Sequence, residues 1–310
     1  MDQLLPEWAQ SFNGADSAND YWDLVCEIAH SRWGTDITLN YLWGRIEHRD
    51  GRIAQIHNIA KDAVGLDRRT QRNGLYNFLS MVDDMKRENE LFSDWEWAAP
   101  RLRRRLQANW ECPWQLVDEP IDPYTNWVVA VAAESGCAPV AAAWLDKWQV
   151  GAAEVWERAT AQSRHPRNLV RRKMHDVAGL NGHPALAFDS TLHCFDGDMY
   201  TTGLATDLTD ELPEPLGENG ALVVAPTAHQ LYVMPIADLA AVPPMVVPLM
   251  VMSALRQHTD TNPVTRSVFW YRGPNRLEPC VTHSAQGRVT VCADEPLATI
   301  LHDYERQMAA

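Results

Sequence analysis

Gly220-Ala221-Leu222-Val223-Val224-Ala225-Pro226, followed three residues later by Gln230-Leu231-Tyr232-Val233-Met234, is the stretch that decides the fold class. Two short apolar runs, the first closed by a proline and both rich in β-formers, predict a β-hairpin of Ala221 to Ala225 with Gln230 to Met234. Downstream, an apolar helix ends near Arg256, and strands are expected at Ser267 to Tyr271, Leu277 to Val281 and Arg288 to Cys292. Upstream, the order reads strand (Trp127 to Ala133), strand (Pro139 to Trp144), helix (Val150 to Arg164), strand (Ala185 to Phe188) and helix (Met199 to Leu208). Hairpins interspersed with separated helices favour an α+β fold, with a mixed, largely antiparallel sheet, over a doubly wound one.

The N-terminal part has a different texture. Tyr21, Trp22, Leu24, Val25, Ile28 and Ala29 recur at helical spacing between Ser17 and Trp33, and Gly34 stops the run. Ile53, Ile56, Ile59, Ala60 and Val64 form a second stripe, and Leu75, Phe78, Leu79, Val82 and Met85 a third. Arg101-Leu102-Arg103-Arg104-Arg105-Leu106 fits either a helix end or a strand. Near Pro113 to Pro123 these helical patterns give way to β-rich runs. The reading is a mainly helical, Trp-rich subdomain over 1–115 and an α+β subdomain over 116–310, packed into one globular unit.

The chain has 310 residues, 46% of them apolar, with 41 acids against 27 bases. That composition belongs to a folded globular chain. Six cysteines carry no Cys-x-x-Cys pair, so neither a zinc ribbon nor a disulfide framework is indicated. The N-terminal residues lack a basic start and an apolar core of a secretory signal, and a cytoplasmic location is the expectation. Leu239 to Leu255 is uncharged but holds Pro243, Pro244 and Pro248, which favours a buried segment over a membrane span.

Charge is concentrated rather than spread. Residues 174–255 contain no Lys or Arg and ten acids, among them Asp196, Asp198, Asp207, Asp210, Glu211, Glu214 and Glu218. Such a sector repels nucleic acid and steers a basic protein partner toward it. An inhibitor or immunity role against a cationic enzyme is its most concrete form, and reversing Asp207, Asp210, Glu211 and Glu214 together is expected to slow association. The plainer reading is a solvated face that keeps the chain soluble. The basic clusters Arg101 to Arg105 and Arg164 to Lys173 then serve as helix-end charges and ion-pair partners of the acids. Trp95, Trp97, Trp110 and Trp114, beside the first of these clusters, form a weaker candidate docking patch through cation–π contacts.

Catalytic arrangements are poorly supported. His193, Asp196 and Asp198 lie close in sequence and offer a weak metal set, but Asp196-Gly197 is turn composition and Asp198 is placed to cap a helix starting at Met199. Ser190 or Cys194 with His193, and Ser253 with His258 and Asp260, are the nucleophile candidates, neither with a supporting motif. No catalytic residue, metal or cofactor is assigned. The alternative to a binding protein is a hydrolase, with or without metal, built on Asp189 to Asp198.

From Leu145 onward several segments look familiar: Leu145-Asp146-Lys147-Trp148 with Val155-Trp156-Glu157-Arg158-Ala159, Asn168-Leu169-Val170-Arg171, and Phe195-Asp196-Gly197-Asp198-Met199-Tyr200. The hairpin above, and Val268-Phe269-Trp270-Tyr271 with Leu277-Glu278-Pro279, complete the pattern. Over residues 145–282 the chain resembles the YtpQ-like family of bacterial proteins. Ala98 to Leu102 and Pro113 to Val117 align more loosely, and 66–94 look inserted or diverged. The resemblance implies an α+β fold with a mixed sheet, and no mechanism.

Overall fold

The computed structural model describes residues 5–109, 115–133, 137–163, 168–176, 187–259, 262–284 and 288–309. The chain divides into two compact units, the first made of residues 1–94 with 133–136 and the second of 95–132 with 137–310. The change of texture near Pro113 to Pro123 therefore falls inside the second unit, and the division comes earlier, where the third helical stripe ends.

In the first unit, α1 (Ala15–Trp33) starts after Gly14 and ends at Gly34, whose N–H donates to the His30 carbonyl at 2.9 Å. It buries Tyr21, Leu24, Val25, Ile28 and Ala29 of the stripe read from the sequence, and Trp33 one turn on, while Trp22 of that stripe is half-buried. Strands β1 (Ile37–Asn40), β2 (Arg45–His48) and β3 (Ile53–Gln55) make an antiparallel meander. The second helical stripe is thus split. Ile53 belongs to β3, and the helix α2 (His57–Ala63) begins only after Ile56, because pairing of Ile46 with Ala54 holds that segment extended. Spacing alone cannot separate these outcomes in so short a run.

Asp67 caps α3 (Arg68–Leu91), its carboxylate accepting from the Arg69 and Thr70 N–H groups at 2.9 and 3.1 Å. Leu75, Leu79 and Val82 then pack into one core with α1, Ile46 and Ile56. Trp8 closes that core: it is 2% exposed, meets Tyr41 edge-on at 5.5 Å, and donates Nε1–H to the Tyr41 carbonyl at 2.6 Å.

The second unit opens with α4 (Trp95–Ala98) and β4 (Leu102–Ala108), so the arginine run is a strand. With β5 (Asp118–Asp122), β6 (Thr125–Ala132) and β7 (Cys137–Pro139) it forms a four-stranded sheet. Two helices follow, α5 (Ala142–Trp148) and α6 (Ala152–Gln162). Residues 142–144, expected as strand, are helical.

A seven-stranded sheet makes the rest: β8 (Val170–Asp176), β9 (Ala187–Asp196), β10 (Ala221–Val224), β11 (Gln230–Pro235), then, after α7 (Val242–Thr259), β12 (Val268–Gly273), β13 (Arg276–His283) and β14 (Val289–Val291). The order is β14-β13-β12-β10-β11-β9-β8, and every pairing described is antiparallel. The fold is α+β.

The hairpin β10–β11 sits near the centre of this sheet and is buried on both faces, which is why its sequence is continuously apolar instead of alternating. Leu222, Val224, Tyr232 and Met234 point toward α7 and α8 (Leu297–Ala309). Ala221, Val223, Leu231 and Val233 point the other way, toward Leu106, Trp127, Leu204 and Leu208. Each buried Val or Leu of this kind stabilises the fold by about 1.5–3 kcal/mol before entropy is counted.

Residues Leu239–Gln257 have the length and hydropathy of a membrane span. In the fold, Val242, Met245, Val246, Leu249 and Met252 of α7 pack onto the sheet. Its early prolines occupy the first turn, where a missing N–H is tolerated. Among the described residues the cysteines are free thiols. Burial pushes Cys194 up to about 11 and Cys280 up to about 12, so both are inert at neutral pH.

Candidate functional site: the acidic loop and the arginine strand

Strand β9 ends at Asp196 and the chain turns at Gly197 and Asp198. The Asp198 carboxylate accepts from the Tyr200 N–H at 2.9 Å, and a 3-10 turn over Thr201–Thr206 follows in place of the α-helix expected there. All six residues of that turn are buried. Gly203 is required: a Cβ there would lie 2.3 Å from the Arg104 carbonyl oxygen.

From Asp207 the chain runs irregularly to Gly220. Leu208 and Leu212 are buried and Leu216 packs against the same core, while Asp210, Glu214 and Glu218, each two residues further on, are exposed. Asp207 accepts from the Thr209 N–H at 3.1 Å, which shapes the first turn of the loop. The result is an anchored loop whose carboxylates are held outward by their apolar neighbours.

Not all of the acidic sector is available to a partner. Strand β8 lies along the sheet edge and carries Arg171, Arg172 and Lys173 beside β9. Arg171 pairs with Glu211, and Arg172 pairs with Asp196, whose second oxygen accepts from Gln230 Nε2 at 2.9 Å. Two of the acids singled out in the sequence thus bind internal arginines across the sheet edge. Among the described residues no ion pair engages Asp210, Glu214 or Glu218.

His193 and Asp196, three apart on one strand, face opposite sides of the sheet. His193 pairs with Val233 on one face, beside Lys173, whereas Asp196 lies on the face of Cys194 and Tyr232. Burial, with Lys173 nearby and against the pull of Glu214, holds His193 below the usual histidine range. Among the described residues no group of three His, Cys, Asp or Glu side chains could hold a metal ion. The side chains of Ser190, Asp189, His258 and Asp260 lie outside what is described.

The tryptophan patch is in part folded into the molecule. Trp95 meets Trp148 in a tilted pair at 5.3 Å and lies under the Arg158 guanidinium at 5.1 Å. Trp97 lies under Arg101 at 4.3 Å. Both rings are half-buried, and Trp110 and Trp114 fall outside the described residues.

Within β4 the arginines separate by strand parity. Arg104 shares the face of Leu102 and Leu106, and is 8% exposed. Its guanidinium lies over the Trp127 ring at 4.3 Å and over the Trp156 ring at 4.9 Å. Nη1 donates to Asn275 Oδ1 at 3.3 Å and Nη2 lies 3.5 Å from Glu119. Its Nε has no partner among the described residues. Burial lowers its pKa to about 10, partly offset by Glu119, so it remains charged at neutral pH. Nothing in the sequence distinguished Arg104 from its neighbours; the partners come from positions 119, 127, 156 and 275.

The backbone of β4 is braced by side chains. Ser163 Oγ accepts from the Arg104 N–H at 2.6 Å and donates to the Ala159 carbonyl at 2.6 Å, and Thr202 Oγ1 accepts from the Leu106 N–H at 3.0 Å. Replacing Ser163 with Ala strands a buried N–H, and the expected loss is about 1–3 kcal/mol, read as a lowered urea midpoint. A midpoint unchanged from wild type would mean that the strand needs no such brace.

No family model, no curated protein and no solved structure matches the chain.

Proposed function

We propose that the chain is a non-enzymatic protein-binding module that engages a basic partner through the acidic loop 207–218, as an inhibitor or immunity protein against a cationic enzyme would. The observation that supports this reading is the alternation in the loop. Buried Leu208 and Leu212 fix it, while exposed Asp210, Glu214 and Glu218 project from it. Charges held by an anchored loop need little ordering on binding, and a single-sign patch raises the association rate of an opposite partner. The YtpQ-like resemblance read from the sequence implies a fold and names no partner. The hydrolase alternative gains no support from the placement of His193 and Asp196.

The charge-reversal test should spare Glu211 and Asp207, since the first is paired with Arg171 and the second shapes the loop. Wild-type protein and the triple variant Asp210→Lys, Glu214→Lys, Glu218→Lys serve as baits in native-cell lysate at low and moderate salt. A basic protein held by the wild type and released by the variant is expected. With that protein purified, the variant should associate at least about tenfold more slowly and with a flatter salt dependence. A partner that binds both baits alike at both salts would remove the electrostatic reading.

A further inference from the structure

A cleft of about 500 Å³ opens over β4 and α6, lined by Arg104, Glu119, Trp156, Glu157, Thr160 and Asn275. That volume suits a small ligand. Its floor is unusual in chemistry. The Arg104 guanidinium lies over the Trp127 and Trp156 rings, at 4.3 and 4.9 Å, and its edge carries the N–H groups that can donate hydrogen bonds. The contacts present on that edge are long, 3.3 Å to Asn275 and 3.5 Å to Glu119, against about 2.7–2.9 Å for a well-formed charge-assisted bond. The Nε–H finds no acceptor among the described residues. A buried cation held this loosely is costly unless an anion completes its hydrogen bonds.

The rim has the opposite sign. The Glu119 side chain is 64% exposed and Glu157 is also exposed, so both carboxylates can turn toward a ligand. A dianion such as phosphate would be drawn to Arg104 and repelled by two carboxylates, and a simple amine would suffer the reverse. A ligand carrying one carboxylate beside one ammonium satisfies both ends. From this arrangement we infer that the cleft binds a small zwitterion of the α-amino-acid class, its carboxylate on the edge of Arg104, its ammonium on Glu119 and Glu157, and its side chain against Trp156. Thr160 and Asn275 supply further polar contacts. This site is separate from the acidic loop, and neither proposal depends on the other.

The test is thermal shift followed by calorimetry, with the twenty amino acids as probes and three controls for the best of them: its deaminated acid, its decarboxylated amine, and inorganic phosphate. At least one amino acid should bind, with each control at least tenfold weaker. Arg104→Lys keeps the charge but loses the two-point edge, and Glu157→Gln removes one rim carboxylate from an exposed position on α6. Each should weaken the amino acid by about tenfold or more. Glu157→Gln leaves buried structure untouched, so it decides the matter even if Arg104→Lys fails to fold. Absence of binding by any amino acid would overturn the proposal. So would phosphate binding as tightly as the amino acid and strengthened by Glu157→Gln, which would make the cleft a plain anion site.

Discussion

Gly220→Ala should cost the second unit about 3–5 kcal/mol, a large part of the 5–15 kcal/mol by which a domain is ordinarily stable. Gly220 stands at φ +69°, in the left-handed region, where an L side chain is strained by about 1–2 kcal/mol. The steric clash costs more than this strain. A Cβ at this position would lie 2.0 Å from the Tyr271 carbonyl oxygen and 3.1 Å from its carbon, both backbone atoms of the neighbouring strand. Neither can rotate away, so β10 and β12 must part at the pair Ala221–Tyr271, in the interior of the seven-stranded sheet. The Ile236 N–H, which donates to the Gly220 carbonyl at 3.0 Å, would be drawn along. Gly217→Ala is the control, since nothing lies within 4 Å of its Cβ direction. Urea unfolding should place Gly217→Ala within about 1 kcal/mol of the wild type and Gly220→Ala far below it. Equal midpoints for the two variants would mean that the strands do not approach as described.

Asp83→Ala should act on the first unit and leave the second alone. Asp83 of α3 accepts from Arg32 Nε at 2.6 Å and Trp33 Nε1 at 2.8 Å, and pairs with Arg52. Arg32 also covers the Tyr76 ring at 4.7 Å, and Arg52 covers Trp33 at 5.0 Å. Removing the carboxylate takes the anion from the partly buried Arg32 and, among the described residues, leaves Arg52 with Asp50 alone, at 3.1 Å. Because the pair stays partly hydrated, the expected cost is about 2–4 kcal/mol, the lower part of the range for a broken buried pair.

The effect carries a pH signature. Burial acts to raise the Asp83 pKa, but the hydrogen bonds from Arg52, Arg32 and Trp33 outweigh it and hold the carboxyl below its ordinary value. A folded-state pKa below the unfolded one gives stability that is present above the unfolded value, about 3.9, and lost as pH falls through the folded one. The gap between wild type and Asp83→Ala should therefore be full at pH 7 and narrow below about pH 4. A gap that stayed constant on acidification would show that the loss comes from packing, not from the charged network.

The parts of this architecture that were legible share one property: their signal is local. The stripe of α1, the glycine after it, and the continuous apolar run of β10 and β11 each follow from neighbours within a few residues. Strands β4 and β8 were not legible, because Arg103, Arg104, Arg105, Arg171, Arg172 and Lys173 look like solvated charge until their acceptors are known. The acceptors of Arg103, Arg104, Arg171 and Arg172, which are Gln162, Asn275, Glu119, Glu211 and Asp196, lie 15 to 171 positions away. The same holds for the candidate site. The acids of loop 207–218 stood out as a charge run, whereas their division into paired and outward-facing members depends on β8, and the Arg104 cleft depends on α6 and the β12–β13 turn.

The side-chain brace on β4 bears on how the protein behaves in a crowded solution. Strand β4 is the outer strand of its sheet, and an outer strand offers a row of N–H and C=O groups to any extended chain that drifts past. Here the Arg104 and Leu106 N–H groups already bind Ser163 and Thr202, and the turn bearing Gly203 covers the Arg104 carbonyl. The edge is closed by hydroxyls rather than by another strand, and a foreign peptide finds no template there. Ser163 and Thr202 thus guard against self-association, and losing both would be felt first as precipitation at high concentration.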